Sequence, residues 1–180
     1  MGTLYITGAG VSSDSGIPTF RGADGFWTIG SENYTPQEMA TRYMYLNNPE
    51  QFLLWYFKRF AKYRNAEPND VHRWLADKNL ITQNIDGLDG KAGNTDYIPI
   101  HGRLDKVTVF EEEGKDSLII DAPWDNISRL GFTHENDPNT EESLIKTLLE
   151  CFKIEKGKQQ KCYPTLGYSL KPFVLLFDEI

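Results

Sequence analysis

The chain has 180 residues, of which 39% are hydrophobic and 25% charged, a composition typical of a soluble globular protein with a sizeable core. Its formal net charge of −7 gives no support for a nucleic-acid partner, and no apolar run approaches the roughly 20 residues of a membrane span. Two cysteines are too few for a disulfide scaffold, and no signal peptide precedes the first predicted strand, so we expect a cytoplasmic protein without a membrane partner.

A glycine-rich turn directly follows the first predicted strand, which spans residues 3–7. Gly8 and Gly10 allow backbone N–H groups to approach phosphate oxygens, and a helix beginning near Ser12 adds partial positive charge at its N-terminus. Ser12 and Ser15 can cap that helix or donate hydrogen bonds to phosphate. The geometry predicts a pyrophosphate cradle, although a Gly-x-Gly after a strand is often only a tight turn.

Two helices with capping signals come after a glycine-rich loop at residues 22–34. The string Thr35-Pro36-Gln37-Glu38 combines a capping residue, proline at the first helical position and glutamate at the third. Asn48-Pro49-Glu50 repeats the cap and the proline. The second helix is aromatic around much of its circumference, which favours burial between neighbours, and part of it can also wall a pocket.

A short helix is predicted over residues 71–78. Its periodicity places Val71, Trp74 and Leu75 towards the core, and we interpret His72, on the same helix, as structural.

Two further parallel strands are predicted, and each ends at polar residues. The segment 80–82 is short and apolar, as expected for a strand buried on both faces, and it is followed by Gln83–Asp86. Residues 97–100 form the next strand, which is followed by His101. Because open α/β sheets bind ligands at the carboxyl ends of their strands, these groups and the glycine turn should converge on one edge.

Three ordered strings resemble those of the sirtuins, the NAD-dependent protein deacylases. Residues 8–21 match every fixed position of the family pattern GAGxSxxSGIPxFR, and residues 82–88 resemble TQNIDxL. His101-Gly102 stands where the family places its catalytic histidine. Three strings in order are far more specific than one, and the resemblance covers roughly residues 3–102 and 162–179.

The resemblance implies that NAD is cleaved at its nicotinamide–ribose bond and that an acyl group passes from an acylated lysine to ADP-ribose. His101 and Asn84 are the implied catalytic residues, with His101 as general base on a ribose hydroxyl, a task that an unperturbed pKa near 6.5 suits. Asn84 would hold a ribose hydroxyl or a water, and Asp86 would accept hydrogen bonds from the nicotinamide amide. The implied cofactor contacts are Gly8, Ala9, Gly10, Ser12, Ser15, Pro18, Phe20, Arg21, Gln83, Asn84, Ile85 and Asp86.

The region 103–169 departs from the family, which usually has a zinc ribbon with two Cys-x-x-Cys pairs there. The first pair maps to about Val109 and Glu112, and in the second pair Cys162 is followed by Thr165 instead of cysteine. One or two thiolates cannot build a tetrahedral structural site, so we expect no zinc.

We expect one sirtuin-like NAD-binding domain over residues 1–180, with an α/β fold and an incomplete Rossmann-like parallel sheet of about four strands. Its expected insertions are residues 22–66, with the cofactor loop and two helices, and residues 103–169. The latter should be a mainly helical subdomain with a strand at 118–120 and a helix that starts at 139–142. The strands that in the family follow the position of Ile180 are missing, and the sequence does not decide between a natural short form and a truncation.

The C-terminal string 170–180 resembles the family's LRPxVVxFGE, with Lys171 in place of arginine and Asp178 in place of glycine. A side chain at position 178 would hinder a close backbone approach or forbid a positive φ there. Asp89 likewise replaces the histidine of TQNIDxLH. The implied contacts with an acyl-lysine peptide are Val174, Phe177, which would line the acyl tunnel, Asp178 and Glu179.

Three hypotheses of function remain open. The first is an NAD-dependent protein-lysine deacylase acting on an acylated protein or peptide. The second, motivated by Asp178 and the missing ribbon cysteines, is an NAD glycohydrolase or ADP-ribosyltransferase. The third, motivated by the missing adenosine-side strands, is a non-catalytic module that binds NAD or ADP-ribose. The sequence does not indicate the acyl group, the protein substrate or the oligomeric state.

Overall fold

The computed structural model describes residues 2–19, 34–111 and 118–179. Its strands are β1 (Leu4–Thr7), β2 (Asn79–Thr82), β3 (Ile98–Pro99), β4 (Gly102–Val109), β5 (Ile119–Asp121), β6 (Glu155–Lys156), β7 (Cys162–Tyr163) and β8 (Leu170–Val174). Its α-helices are α1 (Pro36–Met39), α2 (Arg42–Asn47), α3 (Pro49–Tyr63), α4 (Asp70–Trp74), α5 (Leu88–Lys91), α6 (Trp124–Arg129) and α7 (Pro138–Cys151). Short 3-10 helices lie at Ala9–Ser15, Leu75–Asp77 and Lys158–Gln160.

The strands β1, β2 and β3 form one parallel sheet with β2 at its centre. In the register Ile6 lies opposite Ile81, and Ile81 lies opposite Ile98. The three strands predicted for this sheet are confirmed, each to within a residue of its predicted ends. Their carboxyl ends share one edge, where the glycine turn, the 83–86 string and His101 begin.

A second sheet has the order β5-β4-β8, and both of its pairings are antiparallel. The expectation of about four parallel strands is therefore one too many for the described residues, because the C-terminal strand β8 joins β4 instead. Gly102 starts β4 at φ +84, and a Cβ there would lie 2.0 Å from the carbonyl oxygen of Phe173. Only glycine fits this approach, which explains the residue that follows His101.

The core is built around α3, whose side chains are buried on most of its circumference. It packs against α2, α6 and α7, and the same cluster includes apolar side chains of β4 and β8. Burial between neighbours, the interpretation favoured for this helix, is confirmed. The capping box predicted at Thr35 and the cap with proline predicted at Asn48 are present as well.

The region 103–169 is less helical than expected. It contains α6 and α7, but also β4, β5 and the antiparallel hairpin β6–β7. The predicted strand at 118–120 is confirmed as β5. The helix expected from residues 139–142 begins one residue earlier, because Asp137 caps it and Pro138 takes the first helical position.

The helix predicted over residues 71–78 has a different buried face. Asn69 caps α4 and accepts hydrogen bonds from the backbone of Val71 and His72, and this start turns His72 inward. Val71 and Trp74 are 45% and 54% exposed, so placing them towards the core was wrong, whereas Leu75 is buried.

The helix expected from Ser12 is a 3-10 helix that begins earlier, at Ala9. It ends at Ser15, and the C-cap residue Gly16 has a left-handed backbone with φ +84. Most of the predicted loop at 22–34 lies outside the described residues. Among the described helices, none has the length and hydropathy needed to cross a bilayer.

Candidate functional site

A cleft of about 1050 Å³ opens at the carboxyl edge of the parallel sheet. Its walls come from the 3-10 helix Ala9–Ser15, the 83–88 loop, α3 and the segment after β8. The predicted site residues that line it are Ala9, Ser12, Pro18, Gln83, Asn84, Ile85, Asp86, His101, Val174 and Phe177. Gly8, Gly10, Ser15, Asp178 and Glu179 lie outside its lining, and Phe20 and Arg21 lie outside the described residues.

Asn84 joins the 83–86 string to the glycine turn. Its Nδ2 donates to the carbonyl oxygen of Gly8 at 3.0 Å and to Ser12 Oγ at 3.4 Å. Its backbone N–H donates to Thr82 Oγ1 at 3.1 Å, which fixes the chain as it leaves β2. These bonds hold the two strings together, as the strand pattern predicted.

Ser12 sits at the centre of a chain of hydrogen bonds. Its hydroxyl donates to Asp86 Oδ2 at 2.6 Å and lies 3.4 Å from Nε2 of His72. Nδ1 of His72 accepts from the backbone N–H of Asn69 at 3.2 Å, so in the neutral ring Nε2 carries the proton and donates to Ser12. Burial lowers the pKa of His72, which favours this neutral form.

The carboxylate of Asp86 is oriented from two sides. Oδ2 accepts from Ser12, and Oδ1 accepts from the backbone N–H of Leu88 at 2.9 Å in a turn where Gly87 has φ +74. Each oxygen keeps a second acceptor direction, and the side chain lines the cleft. Asp86 can therefore accept a hydrogen bond from an amide bound there.

His101 is oriented by the strand next to it. Its Nδ1 lies 3.0 Å from the carbonyl oxygen of Gln83. A carbonyl only accepts, so Nδ1 carries the proton in the neutral ring and Nε2 keeps the lone pair that a general base needs. The imidazole lines the cleft together with Asn84.

Asp89, at the position of the family's histidine, is a buried carboxyl beside the site. Its residue is 2% exposed, and burial together with the charge of Asp86 raises its pKa to about 6, while a hydrogen bond with Thr82 acts in the opposite direction. Thr82 also accepts from the backbone N–H of Asn84, so Asp89 lies directly behind the 83–86 string.

Arg59 is a cleft residue that sequence reasoning missed. It projects from α3, is 7% exposed and lines the cleft. Its guanidinium lies 3.5 Å from the ring centroid of Trp55, and NH1 donates to the Trp55 carbonyl at 3.1 Å. Burial lowers the pKa of Arg59 to about 9, so the group stays positive at neutral pH. Arg59 is one of three cations on α3, with Lys58 and Lys62, and the sequence does not distinguish it from the other two.

Val174, the last residue of β8, and Phe177, in the segment after it, line the cleft. The side chains of Asp178 and Glu179 instead bond to other elements of the protein. Asp178 accepts hydrogen bonds from the backbone of α2, and Glu179 forms an ion pair with Lys171 at 3.0 Å. Asp178 is not among the residues with positive φ, so the expected conflict with a left-handed backbone at this position does not arise.

No group of three or more His, Cys, Asp or Glu side chains within residues 2–19, 34–111 and 118–179 is arranged to hold a metal ion. Cys162 is buried, Cys151 is half-buried, and burial raises the pKa of both thiols. Glu112, which maps to the second position of the first zinc-ribbon pair, lies outside the described residues.

The profile of the Sir2 family matches residues 8–179. This chain belongs to the Sir2 family. It is 39% identical over 183 residues to an NAD-dependent protein deacylase of Pyrococcus abyssi, an alignment that covers 98% of this chain and 60% of that protein. An NAD-dependent protein deacylase 1 of Caldanaerobacter subterraneus is 44% identical over 112 residues, which cover 58% of this chain and 45% of the relative.

Solved structures of Sir2 homologues share the fold. A mutant in complex with ADP-ribose superposes with a TM-score of 0.62 at 30% identity, covering 98% of this chain and 59% of the other. A Sir2 homologue in complex with NAD gives a TM-score of 0.61 at 31% identity, with coverages of 98% and 58%. The Rossmann-like α/β fold is thereby confirmed. The chain spans about half of the length of these curated relatives.

Proposed function

We propose that this Sir2-family chain acts as an NAD-dependent protein-lysine deacylase, with residues 1–180 forming one NAD-binding domain and 22–66 and 103–169 as its insertions. The observation that supports the activity best is that Asn84, Asp86 and His101 face one cleft behind the glycine turn. Relatives carry the name NAD-dependent protein deacylase, and solved homologues bind NAD, ADP-ribose and a deacetylated peptide.

The proposed chemistry uses the orientation of three side chains. Bound NAD would supply the nicotinamide–ribose bond and, on its cleavage, an electrophilic anomeric carbon for the acyl oxygen. Asp86, fixed by Ser12 and Leu88, accepts a hydrogen bond from the nicotinamide amide. Asn84 holds a ribose hydroxyl or a water, and His101 removes the proton of a ribose hydroxyl through Nε2.

The remaining predicted cofactor contacts belong to the same proposal. Ala9, Ser12, Pro18, Gln83 and Ile85 line the cleft and are suited to surround the dinucleotide. Gly8, Gly10 and Ser15 complete the proposed cofactor contacts, although they lie outside the cleft lining; Ser15 Oγ accepts from Asn69 Nδ2 at 3.1 Å.

The cleft wall also bears on the acyl group. Val174 and Phe177 offer apolar surface for the chain of an acyl-lysine, and Arg59 adds a positive charge to the same cavity. A cation held in a largely dehydrated wall interacts more strongly with an anion than with a neutral group. We therefore propose acyl groups that end in a carboxylate as better substrates than acetyl.

The partner proposed for this site is an acylated-lysine protein or peptide. A cytoplasmic location is part of the proposal and is supported by the two cysteines, both of which are free thiols.

The proposal is tested by measuring nicotinamide release from NAD with no peptide, with an acetyl-lysine peptide and with a succinyl-lysine peptide. We expect release to depend on peptide, to be lost in His101→Ala, and to be kept in the control His134→Ala, since His134 is exposed and outside the cleft. Release without peptide would replace the proposal with an NAD glycohydrolase. Calorimetric binding of NAD without any turnover would replace it with a binding module.

A further inference from the structure

The N-terminus of α2 is capped by a residue far away in the sequence. The first N–H groups of a helix have no partner within it and need an acceptor elsewhere. Asp178 supplies two: its Oδ1 accepts from the backbone N–H of Arg42 at 2.6 Å, and its Oδ2 accepts from that of Tyr43 at 2.9 Å. Thr41 Oγ1 takes the next N–H, from Met44, at 3.0 Å.

The residue before this cap forms part of the cleft wall. Phe177 lines the cleft, and its backbone N–H donates to the carbonyl oxygen of Ala40, another lining residue, at 3.0 Å. Two residues earlier, the N–H of Leu175 donates to the carbonyl oxygen of His101 at 2.9 Å. The segment 174–178 is thus tied to the catalytic edge at one end and to the junction of α1 and α2 at the other.

A buried ion pair holds the same segment from behind. Glu179 lies 3.0 Å from Lys171 Nζ, and both side chains are 8% exposed. Glu179 also accepts from the backbone N–H of Leu176 at 3.0 Å and lies 3.3 Å from Arg42 NH1. Asp178 adds the bonds that join the residue after Phe177 to the start of α2.

We propose that Asp178 is a positioning residue that sets the acyl side of the cleft by capping α2, and that it does not contact the peptide itself. The inference rests on the proposed deacylase function. It assigns a role to the side chain that stands where the family pattern has glycine. Loss of the cap should weaken binding of the acyl peptide and leave the nucleotide side, which Asp178 does not touch, unchanged.

The test compares Asp178→Ala and Asp178→Asn with a matched control, Asp137→Ala. Asp137 caps α7 through the backbone N–H of Asn139 at 2.9 Å and lies outside the cleft. We expect Asp178→Ala to raise KM for the acyl-lysine peptide about fivefold, with kcat and KM for NAD unchanged. Asp178→Asn retains a side-chain acceptor and should recover most of that loss, and Asp137→Ala should lower Tm without changing KM.

Amide hydrogen exchange gives a readout that does not depend on activity. The N–H groups of Arg42 and Tyr43 should exchange faster in Asp178→Ala than in the wild type or in Asp137→Ala. Unchanged exchange, or an equal rise of KM in Asp137→Ala, would overturn the positioning role. Faster exchange in a protein whose wild type never turns over acyl peptide would support the cap and overturn the deacylase proposal alone.

Discussion

The two sides of the cleft are held together by different forces. On the nucleotide side, Ser12, Asn84 and Asp86 are joined by hydrogen bonds between two strings that lie more than 70 residues apart in the chain. On the acyl side, Lys171 and Glu179 form a buried ion pair within the C-terminal segment, and Asp178 caps α2. The first side follows the family's strings except at Asp89, whereas the second has Lys171 and Asp178 in place of the family's arginine and glycine. The comparison indicates that the acyl wall can change sequence while the nucleotide side keeps its geometry.

The largest effect is expected from Lys171→Met, which leaves the carboxylate of Glu179 buried with one of its two cations removed. Removing one partner of a buried ion pair costs about 3 to 5 kcal/mol of unfolding free energy. Urea unfolding measures it, and the double variant Lys171→Met/Glu179→Gln should recover part of the loss. An unchanged midpoint would mean that the ion pair does not hold the acyl wall.

Asp89→Asn should stabilise the protein above neutral pH. The pKa of Asp89 is raised from 3.8 to about 6, so the folded state binds this proton more tightly than the unfolded chain. The stability that this group contributes is fully present below pH 3.8 and is lost as the pH rises through about 6. The loss amounts to at most about 3 kcal/mol.

Urea unfolding of Asp89→Asn at pH 5 and pH 8 checks this dependence, with the exposed Asp96→Asn as control. The gain in unfolding free energy for Asp89→Asn should be larger at pH 8 than at pH 5. Equal gains at both pH values would contradict the burial argument.

Asn84→Ala removes the side chain that joins the two nucleotide strings. We expect nicotinamide release to fall about a hundredfold, since an oriented polar group at a reacting centre is worth that much. Steady-state kinetics measure the change, with Asn139→Ala, an exposed residue of α7, as control. A loss below threefold would show that Asn84 only shapes the turn.

Ser12→Ala is expected to have the smallest effect, a decrease in kcat of about tenfold, because Asp86 loses one of its two oriented hydrogen bonds but keeps the bond from Leu88. Thermal unfolding of the same variant should show a small change in Tm. An unaltered kcat would show that the hydrogen bond from Ser12 to Asp86 does not contribute to catalysis.

The nucleotide side could be predicted from the sequence because its residues follow strand ends. Asn84 and His101 each lie two residues after the end of a short strand, and parallel strands bring such positions to one edge. The glycine turn and the polar residues that follow the strands are local features, and a single sequence shows them directly.

The other features of the fold and of the site depend on tertiary contacts, which a sequence pattern does not show. An apolar run shows that β8 is a strand but not that it pairs antiparallel with β4. Val71 and Trp74 fitted an apolar face until the Asn69 cap set the start of the helix. Nothing in the sequence of α3 shows that Arg59 is buried. Arg42, a partner of Asp178, lies 136 residues away in the chain.

The central claim is that the three strings surround one dinucleotide, and a titration of the isotope-labelled protein with ADP-ribose, followed by NMR, tests it most directly. The amide signals of Ser12, Asn84 and His101 should shift together and fit a single Kd. Shifts confined to one of these strings, or separate Kd values for them, would contradict the account.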